Sequence, residues 1–259
     1  TRRAQYNNLV VSGNTNVYLY SSSDGANKAF YDTAIGGNLI SYITIGVGNS
    51  LANFWYYDES AGTYTISASD NASAPDGAMG IDDATDSITV GSANISQFIV
   101  NDPGNMTAGN RLGYSVTRKD QYGNIVTTGS NTVYLYSDST GANKAFYNSS
   151  SGGSVITFAT IGAGTSTVNF WYYDELAGTY TISASDNASA PDGTTGIDDA
   201  VDSVTVSPAA IYRFSLNNPG NMEIGSRLGY IVARKDEYEN SVTSGNSTAY
   251  LYSDSSGFY

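Results

Sequence analysis

Acidic side chains are the residues best placed for chemistry in this sequence. Asp70, Asp76, Asp82, Asp83 and Asp86 fall in one Gly- and Ala-rich stretch. Asp186, Asp192, Asp198, Asp199 and Asp202 repeat them 116 residues later. Both runs contain Gly-Ile-Asp-Asp. Carboxylates and carbonyls in a flexible loop suit calcium, which takes several oxygen ligands without demanding one geometry. The spacing does not match an EF-hand, with its alternating acidic ligands and closing Glu. Asp, Asn, Gly and Pro also make solvated turns with no ion present, so the two readings stand side by side. Asp58 and Glu59 join the Ca2+ candidates through topology. If the acidic loop of one repeat faces the Asp58–Gly62 loop of the preceding one, a bridging cation would relieve their repulsion and stiffen the joint.

Other chemistry is sparse. The chain has no His and no Cys, which removes the usual general base, the reactive thiol and nearly every zinc, iron or copper site. Paired carboxylates remain, but Asp174-Glu175 and Asp198-Asp199 are adjacent in sequence and their side chains diverge. A glycosidase needs two carboxyl groups facing across a cleft. The expectation is therefore no enzyme, no catalytic residue and no cofactor beyond Ca2+. The run Phe170-Trp171-Tyr172-Tyr173 could stack on sugars. Core packing is the plainer role, with Trp171 between sheets and Phe170 and Tyr172 outward for lateral contacts. Lys144, and its counterpart Lys28, is expected to cap a loop with its charge in water rather than to form an isopeptide bond. Six Asn-x-Ser/Thr sequons, among them Asn71 and Asn187, follow from a composition rich in those residues.

The elements that carry these residues are set by a repeat. Tyr-Leu-Tyr begins at Tyr18, Tyr134 and Tyr250, with 134 − 18 and 250 − 134 both equal to 116. Trp55 and Trp171, Pro75 and Pro191, and Arg111 and Arg227 keep that offset without gaps. A period of this length is a domain rather than a solenoid unit. The division expected is 1–92, a repeat lacking its N-terminal strands; 93–208, a complete repeat; and 209–259, a repeat lacking its C-terminal strands. Two arrangements fit this phase: an excerpt from a longer array, or a head-to-tail polymer in which one copy completes the next by strand addition.

Within the complete repeat, period-2 alternation bounded by turn residues predicts seven strands. They lie at 95–100, 111–118, 132–137, 155–161, 167–173, 179–185 and 202–206. Leu112, Tyr114 and Val116 share one face, as do Tyr180, Ile182 and Ala184. Antiparallel sheets packed face to face follow. The fold class is all-β: tandem immunoglobulin-like antiparallel β-sandwich domains of about seven strands each.

The segment Gly109-Asn110-Arg111-Leu112-Gly113-Tyr114-Ser115-Val116-Thr117-Arg118-Lys119-Asp120-Gln121-Tyr122-Gly123-Asn124 resembles the second strand and turn of bacterial immunoglobulin-like repeats of the invasin and intimin type. Its Asp-x-x-Gly-Asn turn is followed by an apolar strand, Thr132 to Tyr136. The resemblance implies a bacterial surface or secreted protein used in adhesion or as a stalk. The chain departs from it in the long acidic loop and in lacking a lectin-like tip domain.

A formal net charge of −13 repels a phosphate backbone, so nucleic acid is not an expected partner. No apolar stretch is long enough to span a bilayer as a helix, so membrane insertion is not expected. The reading is a structural repeat region of an extracellular filament, stalk or surface fibre, polymerising or not. Its partners would be copies of itself or neighbouring repeats. The alternative is an adhesin module that binds a glycan or surface receptor.

Overall fold

The computed structural model describes residues 1–255. Alternating β-branched or aromatic residues and small polar residues make strands here, and Gly at positive φ turns the chain between them. No helix forms among the described residues. The segment 209–259 thus extends slightly beyond the described part. Two units are distinguished, one comprising residues 1–95 and 119–126, the other residues 96–118 and 127 onward.

In the first unit, β1 (Thr15–Ser21), β2 (Ala29–Tyr31), β3 (Leu39–Ile40), β4 (Tyr42–Ile45), β5 (Trp55–Tyr57), β6 (Gly62–Ser69) and β7 (Ala84–Val90) form two sheets. One has the order β4-β1-β6-β7 and the other β3-β2-β5. All pairings are antiparallel.

The second unit is built on β8 (Ile95–Val100), β9 (Met106–Thr107), β10 (Arg111–Asp120), β11 (Asn131–Ser137), β12 (Ala145–Tyr147), β13 (Val155–Ile156), β14 (Phe158–Ile161), β15 (Thr167–Tyr173), β16 (Gly178–Ser185) and β17 (Ala200–Ser207). They make two five-stranded sheets, β13-β12-β15-β10-β8 and β14-β11-β16-β17-β9. A further pair, β18 (Arg213–Leu216) and β19 (Val232–Lys235), is antiparallel.

The core of the second unit lies between its five-stranded sheets. Tyr114 and Val116 of β10, Phe170 and Tyr172 of β15, and Phe146 of β12 are buried from one side. Val133, Leu135, Ile182, Ala184, Val204 and Val206 are buried from the other. Tyr114 stacks on Phe170 at 5.4 Å between ring centres, and Phe146 meets the same ring edge-on at 5.6 Å. Each such ring contributes about 1.5–3 kcal/mol by leaving water.

The expected strands form, with three differences. The stretch 155–161 is not one strand. β13 pairs with β12, whereas β14 pairs with β11 in the other sheet. Thr157 is the corner, and its carbonyl accepts from the Leu135 amide at 3.0 Å. β9 and β12 are additional, and they are too short for alternation to reveal. β9 lies parallel to β17, as an exception to the antiparallel rule. Third, the aromatic run faces the other way. Phe170 and Tyr172 are fully buried, and Trp171 lies half-exposed on the outer face. Trp171 pairs with Gly113 across the strands, and a β-carbon on Gly113 would lie 3.0 Å from its indole nitrogen. The bare glycine gives the largest ring a seat outside the core.

Candidate metal centre

The stretch after β6 leaves the sheet at Ser69 and returns at Ala84. The corresponding stretch after β16 runs from Ser185 to Ala200. Side chains hold each loop in shape. Ser69 Oγ accepts from the Asn71 amide at 3.1 Å, and Asn71 Oδ1 from the Ser73 amide at 2.9 Å. These are Asx- and Ser-turns that fold the chain back on itself. Tyr20, from β1, donates its hydroxyl to the Asn71 carbonyl at 2.6 Å. Tyr136 does the same for Asn187 at 2.5 Å.

Folded this way, each loop brings three carboxylates together. One oxygen from each of Asp70, Asp76 and Asp83 lies within 4.8 Å of the others, and Asp186, Asp192 and Asp199 do likewise. The two oxygens of each carboxylate are used differently. In the second unit, Oδ2 of Asp186 accepts from the Ile197 amide at 3.2 Å, and Oδ2 of Asp192 from Asn187 Nδ2 at 3.0 Å. Oδ2 of Asp199 takes the amides of Asp192 and Gly193 at 2.8 and 2.7 Å. The first unit repeats the Asp70–Ile81, Asn71–Asp76 and Asp83–Gly77 bonds. The Oδ1 atoms of all six residues are removed from solvent and accept no hydrogen bond. Gly80, at φ +76°, and Gly196, at φ +77°, close against this arrangement. A β-carbon there would lie 2.6 Å from Oδ2 of Asp70 or Asp186.

Orphaned, inaccessible carboxylate oxygens are costly unless a cation faces them. Three hard oxygen donors fit calcium, or another hard divalent ion, and offer nothing to a softer metal.

The other candidates lie elsewhere. Asp82, Asp86 and Asp198 are exposed. Asp198 uses its backbone instead, bonding Ser96 and Phe98 of β8 at 2.8 and 3.0 Å. Asp202 accepts from the buried Tyr114 hydroxyl at 2.9 Å. Burial and that carboxylate together push the phenol well above its ordinary range. Asp58 and Glu59 are bound into their own repeat. Asp58 accepts from the Tyr56 hydroxyl and the Ser60 amide at 2.5 and 2.9 Å, and Glu59 from Asn27 and the Tyr57 hydroxyl at 2.5 Å each. Asp174 and Glu175 repeat these roles with Tyr172, Leu176, Asn143 and Tyr173. Within the first unit the Asp58–Gly62 loop is met by the turn at Asn124, which bonds Glu59 and Ala61. Spacing in the sequence does not reveal that partner. Lys28 and Lys144 cap backbone carbonyls, those of Ser23 and Ser139.

No family model matches the chain, and no curated protein matches it. Among solved structures it is similar to surface layer protein SbsC, domains 4-9, at 17% identity over 93% of this chain and 31% of that one, with a TM-score of 0.32. SbsC domains 4 and 5 match at 17% identity over 71% of this chain and 78% of that one, TM-score 0.31. A beta-glycosidase from Bacteroides vulgatus matches at 10% identity over 74% of this chain and 21% of that one, TM-score 0.34. The chain thus spans about a third or less of the first structures it matches. A surface-layer protein and glycosidases both occur among them, so they do not choose between a structural and an enzymatic reading.

Proposed function

We propose that this chain is a structural repeat region of an extracellular or cell-surface fibre, stalk or filament, and that it carries no catalytic site. One observation carries this reading: the adjacent carboxylates Asp58-Glu59 and Asp174-Glu175 are bound into the fold in the same way, 116 residues apart. Tyr56–Asp58–Ser60 becomes Tyr172–Asp174–Leu176, and Asn27–Glu59 becomes Asn143–Glu175. A carboxylate whose oxygens already accept amide and phenol hydrogens is poorly placed to move a substrate proton. The recurrence of whole hydrogen-bond sets supports duplication of a mechanical unit.

On the same reading the carboxylate cages hold Ca2+ and fasten the long loops to the sheets. Copies or neighbouring repeats are the partners, and head-to-tail assembly is the form of association this reading favours. Immunogold labelling of the source cells with antibodies to this chain tests it. Label along surface fibres or an outer layer is expected. Label confined to the cell interior would overturn it, and label only at discrete tips would turn the assignment to an adhesin.

A further inference from the structure

Three turns of the chain share one backbone form. In residues 119–126 the Asp120 amide donates to the Asn124 carbonyl, and the Gly123 amide to the Asp120 carbonyl, both at 3.0 Å. Residues 235–242 do this through Asp236, Asn240 and Glu239, at 3.1 and 3.3 Å. Residues 3–10 do it through Ala4, Asn8 and Asn7, at 2.8 Å each. A single antiparallel bridge closes each turn: Lys119 with Ile125, Lys235 with Ser241, Arg3 with Leu9.

The side chains are used differently. In the first unit Asn124 Nδ2 donates to the Glu59 carbonyl at 2.7 Å, and its Oδ1 accepts from the Ala61 amide at 2.9 Å. In the second, Asn240 holds the Glu175 carbonyl at 2.7 Å and the Ala177 amide at 2.8 Å. The remaining Nδ2 hydrogen goes to the turn's own Asp, Asn124 to Asp120 at 3.0 Å and Asn240 to Asp236 at 2.9 Å. Asn8 stays exposed, and Ala stands at the position of the Asp. The turn at 3–10 therefore forms without the acid, and among the described residues no loop is hydrogen-bonded to the Asn8 side chain. Turn formation does not require the Asp–Asn pair, and the loop is what the pair serves.

A primary amide is the neutral side chain that offers a donor and an acceptor side by side. It can read a carbonyl and the amide two residues on, much as a neighbouring strand would. The bracing Asp fixes which way the amide points. In the second unit Tyr238 adds shape: a β-carbon on Gly109 would come within 2.1 Å of its hydroxyl. Gly109, at φ +82°, also donates its amide to the Asp174 carbonyl at 2.9 Å.

We propose that the Asp-x-x-x-Asn turn is a plug and the Asp-Glu-x-Ala-Gly loop its socket. The partner of each socket is then the turn of another repeat of this kind, selected by the Asn amide. The socket is a protein-binding surface for its own family and needs no cation. This deepens the reading of the chain as a string of structural repeats and rests on it only for what the joint is used for.

Amide hydrogen exchange on the full chain tests the joint. Asn240→Ala is expected to speed exchange at Ala177 at least tenfold and leave Ala61 unchanged. Asn124→Ala is expected to do the reverse, and Asn8→Ala to alter neither. Should an Ala variant fail to fold, Asp236→Ala recreates the Ala4 form of the turn and is expected to speed Ala177 several-fold. Unchanged exchange at Ala177 and Ala61, or equal changes from Asn8→Ala, would overturn the plug and socket. That result would leave the surface-fibre reading standing, since cell labelling decides it separately.

Discussion

Asp70, Asp76 and Asp83, with their counterparts 116 residues on, converge on one another, spend one oxygen on the loop and leave the other buried without a donor. Such a cage is relieved by a cation that faces its unbonded oxygens. Calcium titration is expected to raise the thermal midpoint, with two ions bound per chain. At calcium about 100-fold above Kd the gain per site is about 2.7 kcal/mol. Asp192→Asn should remove one ion and Asp76→Asn with it the second, as read by isothermal titration and scanning calorimetry. Asp120 is held by a different set of donors. Burial pushes its carboxyl up, but donors from the Asn124 side chain and the amides of Ala93, Asn124 and Tyr122 outweigh that and hold it below its ordinary range. Asp236 is held low in the same way. A carboxyl lowered in the folded state adds stability that is complete above its unfolded value, near pH 4. That stability is lost as pH falls through the lower folded value. Acid titration followed by circular dichroism should show this loss below about pH 4, and Asp120→Asn with Asp236→Asn should flatten it.

Among the elements, the C-terminal end of β10 depends on a charge rather than on packing alone. Arg118 is fully buried, and among the described residues it forms no ion pair with a carboxylate. Its guanidinium donates to the carbonyls of Gly129, Gly162 and Thr165 and to Asn131 Oδ1, at 2.5–3.3 Å. Burial lowers its pKa without any acid to restore it. Arg2 serves the first unit similarly, through the carbonyls of Ser12, Gly13, Gly46 and Asn49. One planar fork thus gathers the loops flanking two strands, which a lysine cannot do. Arg118→Lys is expected to cost about 3 kcal/mol, because several buried carbonyls lose their donors together. Urea denaturation would measure it, with an unchanged slope if the fold is retained.

For the whole molecule, the two Trp residues are natural reporters, since Trp55 lies in the first unit and Trp171 in the second. Phe170 is fully buried, whereas its counterpart Phe54 is half-buried. Phe170→Ala in a Trp55→Phe background is expected to lower the stability seen by Trp171 by about 3–5 kcal/mol. Phe54→Ala in a Trp171→Phe background should lower that seen by Trp55 by less. Equal losses would mean that the two units do not differ in how their sheets are closed around this ring.

By itself, the sequence determined the all-β class, the 116-residue period and most strand positions. Alternation and turn residues are local signals that survive without any neighbour, as in Tyr180, Ile182 and Ala184 of β16. It also marked the acidic stretches, because composition suffices to find them. Tertiary structure decided which of those acids converge. Asp82 and Asp83 are adjacent in sequence, yet only Asp83 reaches the cage, because the loop's backbone bonds turn one inward and leave the other in water. It decided which aromatic faces the core, because Trp171 sits outside it against Gly113, on a partner strand 58 positions earlier in the chain. It also decided that the Asp58–Gly62 loop meets the side-chain amide of Asn124. Such pairings join residues distant in sequence, and no local pattern carries them.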